Sequence, residues 1–453
     1  MKVSRRDLLV SGATLGGAAL LAGGRAAGAQ PGHQHHAPVA PPAPGAAAAA
    51  TTLKPLPVPP AAIAPLAPGK PGTCITPGGE SLPSKMVRGA RVFHLVAEPV
   101  RHTIAPGLVA DCWGYNGRVH GPTIEAIEGE LCRFYVTNRL PEATTVHWHG
   151  VLVPNGMDGA GGLTQKAIPP GETFRYEIRM PHAGTFMYHP HFDEMTQIAL
   201  GLTGMIVVHP RRPGRPARDY ALMLHEWDIP VGASRPDPLE MSEFNVLTIN
   251  GKAFPATVPI AAEVGDLVRI RFGNMGPMDH HPMHLHGHNF RVVGTDGGPV
   301  PRAAQHPETT VLVPVGSTRV IELVAAAGDW PLHCHMTHHV MNQMGHDAVN
   351  TTGADLAAVD RAMSKVAPGF MSMGQDGTGN MADMGMPVPD NSIAMLGGVG
   401  PFGTIDMGGM FTILKVRERL AAAGGAGWYV HPAGSVARAA TSSELADDGI
   451  DVK

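Results

Sequence analysis

Four short motifs concentrate the chemistry of this chain. They are His147-Trp148-His149-Gly150, His189-Pro190-His191, His281-Pro282-Met283-His284-Leu285-His286, and His333-Cys334-His335 followed by His339 and Met344. A single H-x-H pair is two histidines on one face of a strand. Four such pairs in 453 residues form a metal-binding pattern, because neutral imidazole is a ligand for copper, iron, nickel and zinc. The last motif narrows the metal. One thiolate, two imidazoles and a long axial thioether suit copper in an electron-transfer site. Alternate residues of a strand face opposite sides. Cys334 therefore points away from His333 and His335, and one strand serves two sites that it joins covalently.

These motifs need a scaffold, and the scaffold is a repeat. Asn116-Gly117 recurs as Asn250-Gly251, and Glu128-Gly129-Glu130 as Val264-Gly265-Asp266. Asn138 recurs as Asn274, the first H-x-H-G as His284-Leu285-His286-Gly287, and His189-Pro190-His191 as His333-Cys334-His335. The offset drifts from 134 to 144 residues, as unequal loops in two copies of one fold produce. Each copy reads as short strands. Over Leu267 to Phe272, Val268, Ile270 and Phe272 face one way and Arg269 and Arg271 the other. Leu131 to Val136, Phe174 to Met180, Gly204 to Val208 and Thr318 to Leu323 read alike. Clusters drawn from 57 Gly and 43 Pro separate them. The pattern predicts an all-β protein with two Greek-key β-sandwiches, at residues 86–213 and 214–420. The second copy holds an insertion over residues 350–408, with eight Met between Met363 and Met407. Residues 421–453 form a C-terminal tail.

Charged residues are 16% of the chain and the formal net charge is −4, so no nucleic-acid partner is expected. Residues 1–29 carry Ser4-Arg5-Arg6-Asp7-Leu8-Leu9, a mild apolar stretch and Ala27-Gly28-Ala29. That pattern predicts a twin-arginine export signal, removed in the mature protein. Residues 30–85 contain 14 prolines and read as a disordered Pro/Ala-rich linker. No other apolar run is long enough to span a bilayer, so no membrane segment is expected after export, and the protein should be periplasmic or extracellular. Four cysteines are too few for a disulfide scaffold. Cys112 and Cys132 either pair or remain buried thiols.

The motif order H-W-H-G, H-x-H, H-P-x-H-x-H, H-C-H-x3-H-x4-M resembles the multicopper oxidase family. The resemblance covers both sandwiches and implies cupredoxin-like domains with four coppers per subunit equivalent. It implies a type 1 copper on His281, Cys334 and His339 with Met344 axial. A type 2 copper would sit on His147 and His284. A type 3 pair would sit on His149, His189, His191, His286, His333 and His335. Electrons would enter at Cys334 and reach the trinuclear cluster through His333 and His335, where O2 is reduced to water. Asp158, eleven residues after His147, would help supply protons; alternatively it is a turn residue before Gly159. Val340 stands where several relatives carry a second acid. In the first copy, Thr144, Pro190 and Met195 stand where His281, Cys334 and His339 stand, so no type 1 site is expected there.

The 90 residues from His191 to His281 leave no room for a third sandwich. The chain thus resembles the two-domain, small-laccase-like class, which implies a homotrimer with the trinuclear site between subunits. The expected activity is oxidation of phenols or aromatic amines with O2. The alternative is a metallo-oxidase acting on Cu(I), Mn(II) or Fe(II), serving copper tolerance. The Met-rich insertion fits Cu(I) binding and an apolar cap equally well.

Overall fold

The computed structural model describes residues 73–343, 356–363, 365, 388–395, 397–420 and 427–452. The export signal, most of the linker, Met344 and most of the Met-rich stretch lie outside the described residues. In the first sandwich one sheet runs Ser84–Val87, Ala90–Ala105, Leu131–Asn138, Thr173–Arg179, with Leu108–Tyr115 also paired to Ala90–Ala105. The facing sheet runs Ile124–Ile127, Gly204–His209, Gly184–His189, His147–His149. In the second sandwich one sheet runs Val246–Ile249, Arg218–Trp227, Leu267–Asn274, Ser317–Val324, Phe290–Thr295 and Gly298–Pro299. Its facing sheet runs Ile260–Glu263, Phe411–Arg417, Gly328–Cys334, His281–Leu285 and Thr310–Val313.

The sequence repeat is a repeat of pairings. Ala90–Ala105 runs parallel to Leu131–Asn138, and Arg218–Trp227 parallel to Leu267–Asn274. Gly204–His209 completes the first copy beside Gly184–His189, and Phe411–Arg417 completes the second beside Gly328–Cys334. The second copy therefore makes the same join across the insertion. The paired asparagines do the same work in both copies. Asn138 donates to the carbonyls of Glu142 and Ile168, and Asn274 to those of Asp279 and Val313. Each fixes the loop that leads into a histidine strand. Each H-x-H-G ends on a left-handed glycine, Gly150 at φ +84° and Gly287 at φ +68°, a conformation costly for other residues.

Each sandwich has its own apolar core. Phe93, Phe134, Trp148, Tyr188 and Ile206 fill the first; Ile270, Phe272, Met283, Leu332 and Cys334 fill the second. Alternation along the strands then turns the histidines outward from both cores. On the Arg269–Arg271 face Arg269 is half-buried and Arg271 is buried. Arg271 is 6% exposed, bonds both oxygens of Asp219 on the neighbouring strand at 2.7 Å and donates to Thr185 of the first sandwich.

Three readings are refined. The linker ends before residue 85, because Cys74 is buried and Ile75 and Ser81 bridge to Tyr220 and Thr123. The insertion is not wholly separate: Ile393 is buried, and Asn391 donates to the Val109 and Ala233 carbonyls. All four cysteines are free and buried, so Cys112 and Cys132 do not pair. No described helix is long and apolar enough to cross a membrane.

Candidate metal centres

His281, Cys334 and His339 converge in the second sandwich. His281 Nδ1 lies 3.2 Å from His339 Nδ1, and Cys334 Sγ lies 3.8 and 3.4 Å from those two nitrogens. Two nitrogens held about 2.0 Å from one ion at a tetrahedral angle stand roughly 3.3 Å apart, and a sulfur and a nitrogen roughly 3.6 Å. The three atoms thus have the spacing of ligands to a single ion. His281 and Cys334 are fully buried, and burial pushes the Cys334 thiol up to about 12. A metal entering here must displace that proton, which makes loading pH-dependent.

The opposite nitrogens of both imidazoles meet carboxylates. His281 Nε2 lies 3.2 Å from Glu226 Oε2, and His339 Nε2 lies 3.4 Å from Asp279 Oδ2. Glu226 is fully buried and also accepts from the amides of Met278 and Asp279, at 2.6 and 2.8 Å. Burial alone would raise its carboxyl. The His281 imidazole and the backbone amides outweigh that and hold it below the usual carboxylate range. Gly276 makes the room, since a Cβ there would lie 1.7 Å from Glu226 Oε2. A carboxylate on the far nitrogen fixes the ring and its tautomer, leaving Nδ1 free for a metal. Neither acid was anticipated from sequence.

The remaining eight histidines form two quartets. In the first sandwich the His147 ring packs 5.6, 5.3 and 5.6 Å from those of His149, His189 and His191. In the second, the His284 ring packs 4.8, 5.7 and 5.4 Å from those of His286, His333 and His335. His147 Nδ1 donates to the Asp158 carbonyl and His284 Nδ1 to that of Thr309, both at 2.8 Å. His189 and His333 each donate from Nδ1 to the carbonyl of the next residue, both at 2.7 Å. These bonds leave Nε2 of all four rings as a lone-pair donor. His189 Nε2 faces His149 Nδ1 at 3.2 Å, and His333 Nε2 faces His286 Nε2 at 3.1 Å. Burial lowers His149, His286 and His333, and takes His189 down to about 3, so protons do not compete for these nitrogens near neutrality.

Two acids attend the first quartet. Asp158 Oδ1 lies 3.5 Å from His147 Nδ1. Glu194 lies 3.5 Å from His189 and 3.7 Å from His191. Glu194 was not anticipated, although it stands only three residues after His191. In the first sandwich the position matching the Cys334 group is plugged: Thr144 donates to Gln197 at 2.6 Å, both fully buried. Met195 is 56% exposed and points elsewhere. The axial position expected for Met344 lies outside the described residues.

Two models of the family described as multicopper oxidase match this chain, at residues 97–213 and 230–354, together more than half of it. The chain belongs to the multicopper oxidase family. The chain is 29% identical over 272 residues to multicopper oxidase MmcO of Mycobacterium tuberculosis, covering 52% of each chain. It is 29% identical over 248 residues to laccase-19 of Oryza sativa subsp. japonica, covering 49% of this chain and 40% of that one. Among solved structures, the blue copper oxidase from Nitrosomonas europaea aligns with a TM-score of 0.53 and 27% identity, over 72% of this chain and 86% of that one. The chain spans about half or less of the length of these curated relatives. The donor atoms fit copper: a soft thiolate with imidazoles at one centre and imidazoles alone at the others.

Proposed function

We propose that this chain is a copper-dependent oxidase that takes single electrons from a reducing substrate and passes them to O2. When bound, copper supplies the one-electron chemistry, at a mononuclear type 1 site and at a trinuclear site of one type 2 and two type 3 ions, four per subunit equivalent. His281, Cys334 and His339 would hold the first, with Met344. His147 and His284 would hold type 2, and His149, His189, His191, His286, His333 and His335 the type 3 pair. Cys334 shares peptide bonds with His333 and His335, so the chain offers a continuous covalent path between the sites. Each O2 reduced to two waters consumes four protons, and Asp158 and Glu194 stand where protons are needed.

The observation that carries the oxidase reading is the shared strand, with Cys334 turned into the core and His333 turned out of it. The donor pocket lies over His339. A cavity of about 460 Å³ is lined by Phe244, Asn245, Asp279, His338, His339 and Met341, among others. Phe244 offers an apolar wall and Asp279 an acceptor for a hydroxyl, which supports a phenol or aromatic amine. Met336 and Met341 in the same wall favour a second reading, a Cu(I) oxidase. Steady-state kinetics with a phenol, Cu(I), Fe(II) and Mn(II) in parallel decide between them. No oxygen uptake with any donor would overturn the oxidase reading.

We further propose a homotrimer in which the first quartet of one chain meets the second quartet of the next. Among the described residues, no ring contact or hydrogen bond joins the two quartets. Leu152, Leu163 and Phe192 beside the first, and Leu312 and Met336 beside the second, are 40–85% exposed. Apolar surface at both half-sites favours a head-to-tail ring. An active, fully metallated monomer by native mass measurement would refute this. The Arg5-Arg6 pattern supports export of the folded, copper-loaded protein to the periplasm or beyond.

A further inference from the structure

A second, smaller cavity of about 160 Å³ opens where the two sandwiches meet, and nothing above uses it. His102 and His120 of the first sandwich line it, together with Met205 and Met223, each only 2% exposed. His225 stands behind His120, fully buried, with ring centroids 5.0 Å apart. Its Nδ1 donates to the Met275 carbonyl at 3.0 Å, so in the neutral ring Nε2 carries only a lone pair. The Thr203 hydroxyl occupies His120 Nδ1 at 2.7 Å. The Nε2 atoms of both rings are buried without a hydrogen-bond partner. Two unpaired nitrogens on neighbouring imidazole rings are costly unless a ligand satisfies them.

The surroundings say which ligand. The apolar seam beside the cavity is rich in sulfur: Met187, Met205, Met223, Met275 and Cys74 all belong to it. No carboxylate lines the cavity, which disfavours hard ions such as Ca(II) and Mg(II). Of the cationic side chains in the wall, Arg101 pairs with Asp111 and Arg118 with Glu80. Lys252 bonds the Thr103 carbonyl beside the cavity, and burial lowers its ammonium from the usual lysine range. An ammonium there opposes a divalent ion twice as strongly as a monovalent one. The lone pair of His225 Nε2 repels an anion. Imidazole and thioether donors with a monovalent preference select a soft ion. Burial depresses both imidazoles, His225 to about 4, so they remain unprotonated at working pH.

We propose that His120 and His225, with the thioethers of Met205 and Met223, form a binding site for a soft monovalent metal ion, Cu(I), between the two sandwiches and apart from the twelve metal-ligand positions described above. The site does not depend on the oxidase reading, because its donors belong to neither quartet nor to the Cys334 group.

Ag(I) tests this on the copper-loaded full chain, since it mimics Cu(I) and is not oxidised. Silver bound per chain is counted after dialysis and gel filtration, for the unmodified protein, for Met205→Leu/Met223→Leu and for His120→Gln. Leucine conserves volume and removes only sulfur. The Met-rich insertion is common to all three proteins, so the difference isolates the cavity. Each variant should bind one silver fewer per chain, with its blue absorption and unfolding midpoint retained. Equal silver counts would overturn the proposal and leave the cavity to solvent. X-ray absorption at the silver edge of the unmodified protein answers without any substitution. A shell mixing nitrogen and sulfur on one ion per chain is expected, and silver bound by sulfur alone would overturn it.

Discussion

Replacing Glu226 by glutamine changes one atom and tests how the mononuclear site is held. Oε1 of Glu226 accepts from the Met278 and Asp279 amides, and Oε2 faces His281 Nε2. Glutamine has one acceptor oxygen and one donor nitrogen. If its nitrogen faces the two amides, two part-buried N–H groups lose their acceptor, at up to about 1–3 kcal/mol each. If its nitrogen faces His281, the ring must accept at Nε2 and carry its proton on Nδ1. In the metal-free protein the second arrangement leaves no orphaned donor, so it prevails. Its cost appears on metal binding, because Nδ1 is the atom 3.2 Å from His339 and 3.8 Å from Cys334. Loss of such a supporting carboxylate typically lowers metal affinity about 10–100-fold, or about 1.4–2.7 kcal/mol. Copper titration against a competing chelator, read by the blue absorption, measures this. A folded Glu226→Gln protein that binds copper as tightly as the unmodified one would refute the tautomer argument.

Cys334→Ser should abolish the blue absorption and substrate oxidation, because a hydroxyl supplies neither the thiolate bond nor the soft donor; an intense blue band in that variant would overturn the assignment. Asp158→Asn should keep the copper count and slow O2 reduction, since an amide relays no proton; unchanged turnover would leave Asp158 a turn residue. The copper-free protein should lose stability as pH falls from 6.5 toward 4. Burial holds His189 at about 3 and His225 at about 4 when folded, against 6.5 unfolded, so only the unfolded chain takes up protons in that window. Each group contributes a slope of up to about 1.4 kcal/mol per pH unit, and urea unfolding that is flat between pH 6.5 and 5 would contradict it. Removing residues 366–387, while keeping the anchored Asn391 and Ile393, should preserve the blue absorption and lower Cu(I) oxidation more than phenol oxidation. Equal losses would make the insertion structural.

What the sequence made legible was whatever rides on short-range spacing. The alternation of His333, Cys334 and His335 assigns their faces before any coordinates, because strand period is fixed. The repeated Asn-Gly turns, Asn138 with Asn274, and the two H-x-H-G motifs place equivalent strands, because turn and loop chemistry is local. Arg269 and Arg271 were legible as one face, but the burial of Arg271 was not. Asp219 comes from the neighbouring strand of the same sheet, and only the docking of the two sandwiches brings Thr185 to Arg271. The tail was likewise unreadable. It docks by stacking Trp428 on Lys415 at 4.6 Å and Tyr429 on Arg417 at 5.6 Å, pairs with no periodicity to announce them.

The acids that hold the centres were hidden for a related reason. Glu226 reaches His281 across 55 residues, from a strand in the facing sheet, and an isolated Glu in an apolar strand carries no motif. Its only trace is Gly276, whose missing side chain leaves space for the carboxylate. The two sandwiches share ancestry-like pairings, yet only one can take the thiolate centre. In the first, the fully buried Thr144–Gln197 hydrogen bond fills the space that His281 and its partners occupy in the second. Adding a cysteine at Pro190 would therefore not restore a metal site there. The pair would remain, no imidazole would replace it, and no buried acid equivalent to Glu226 would set the tautomer. A mononuclear centre in this fold needs its far-side carboxylate and its cleared cavity as much as its sulfur.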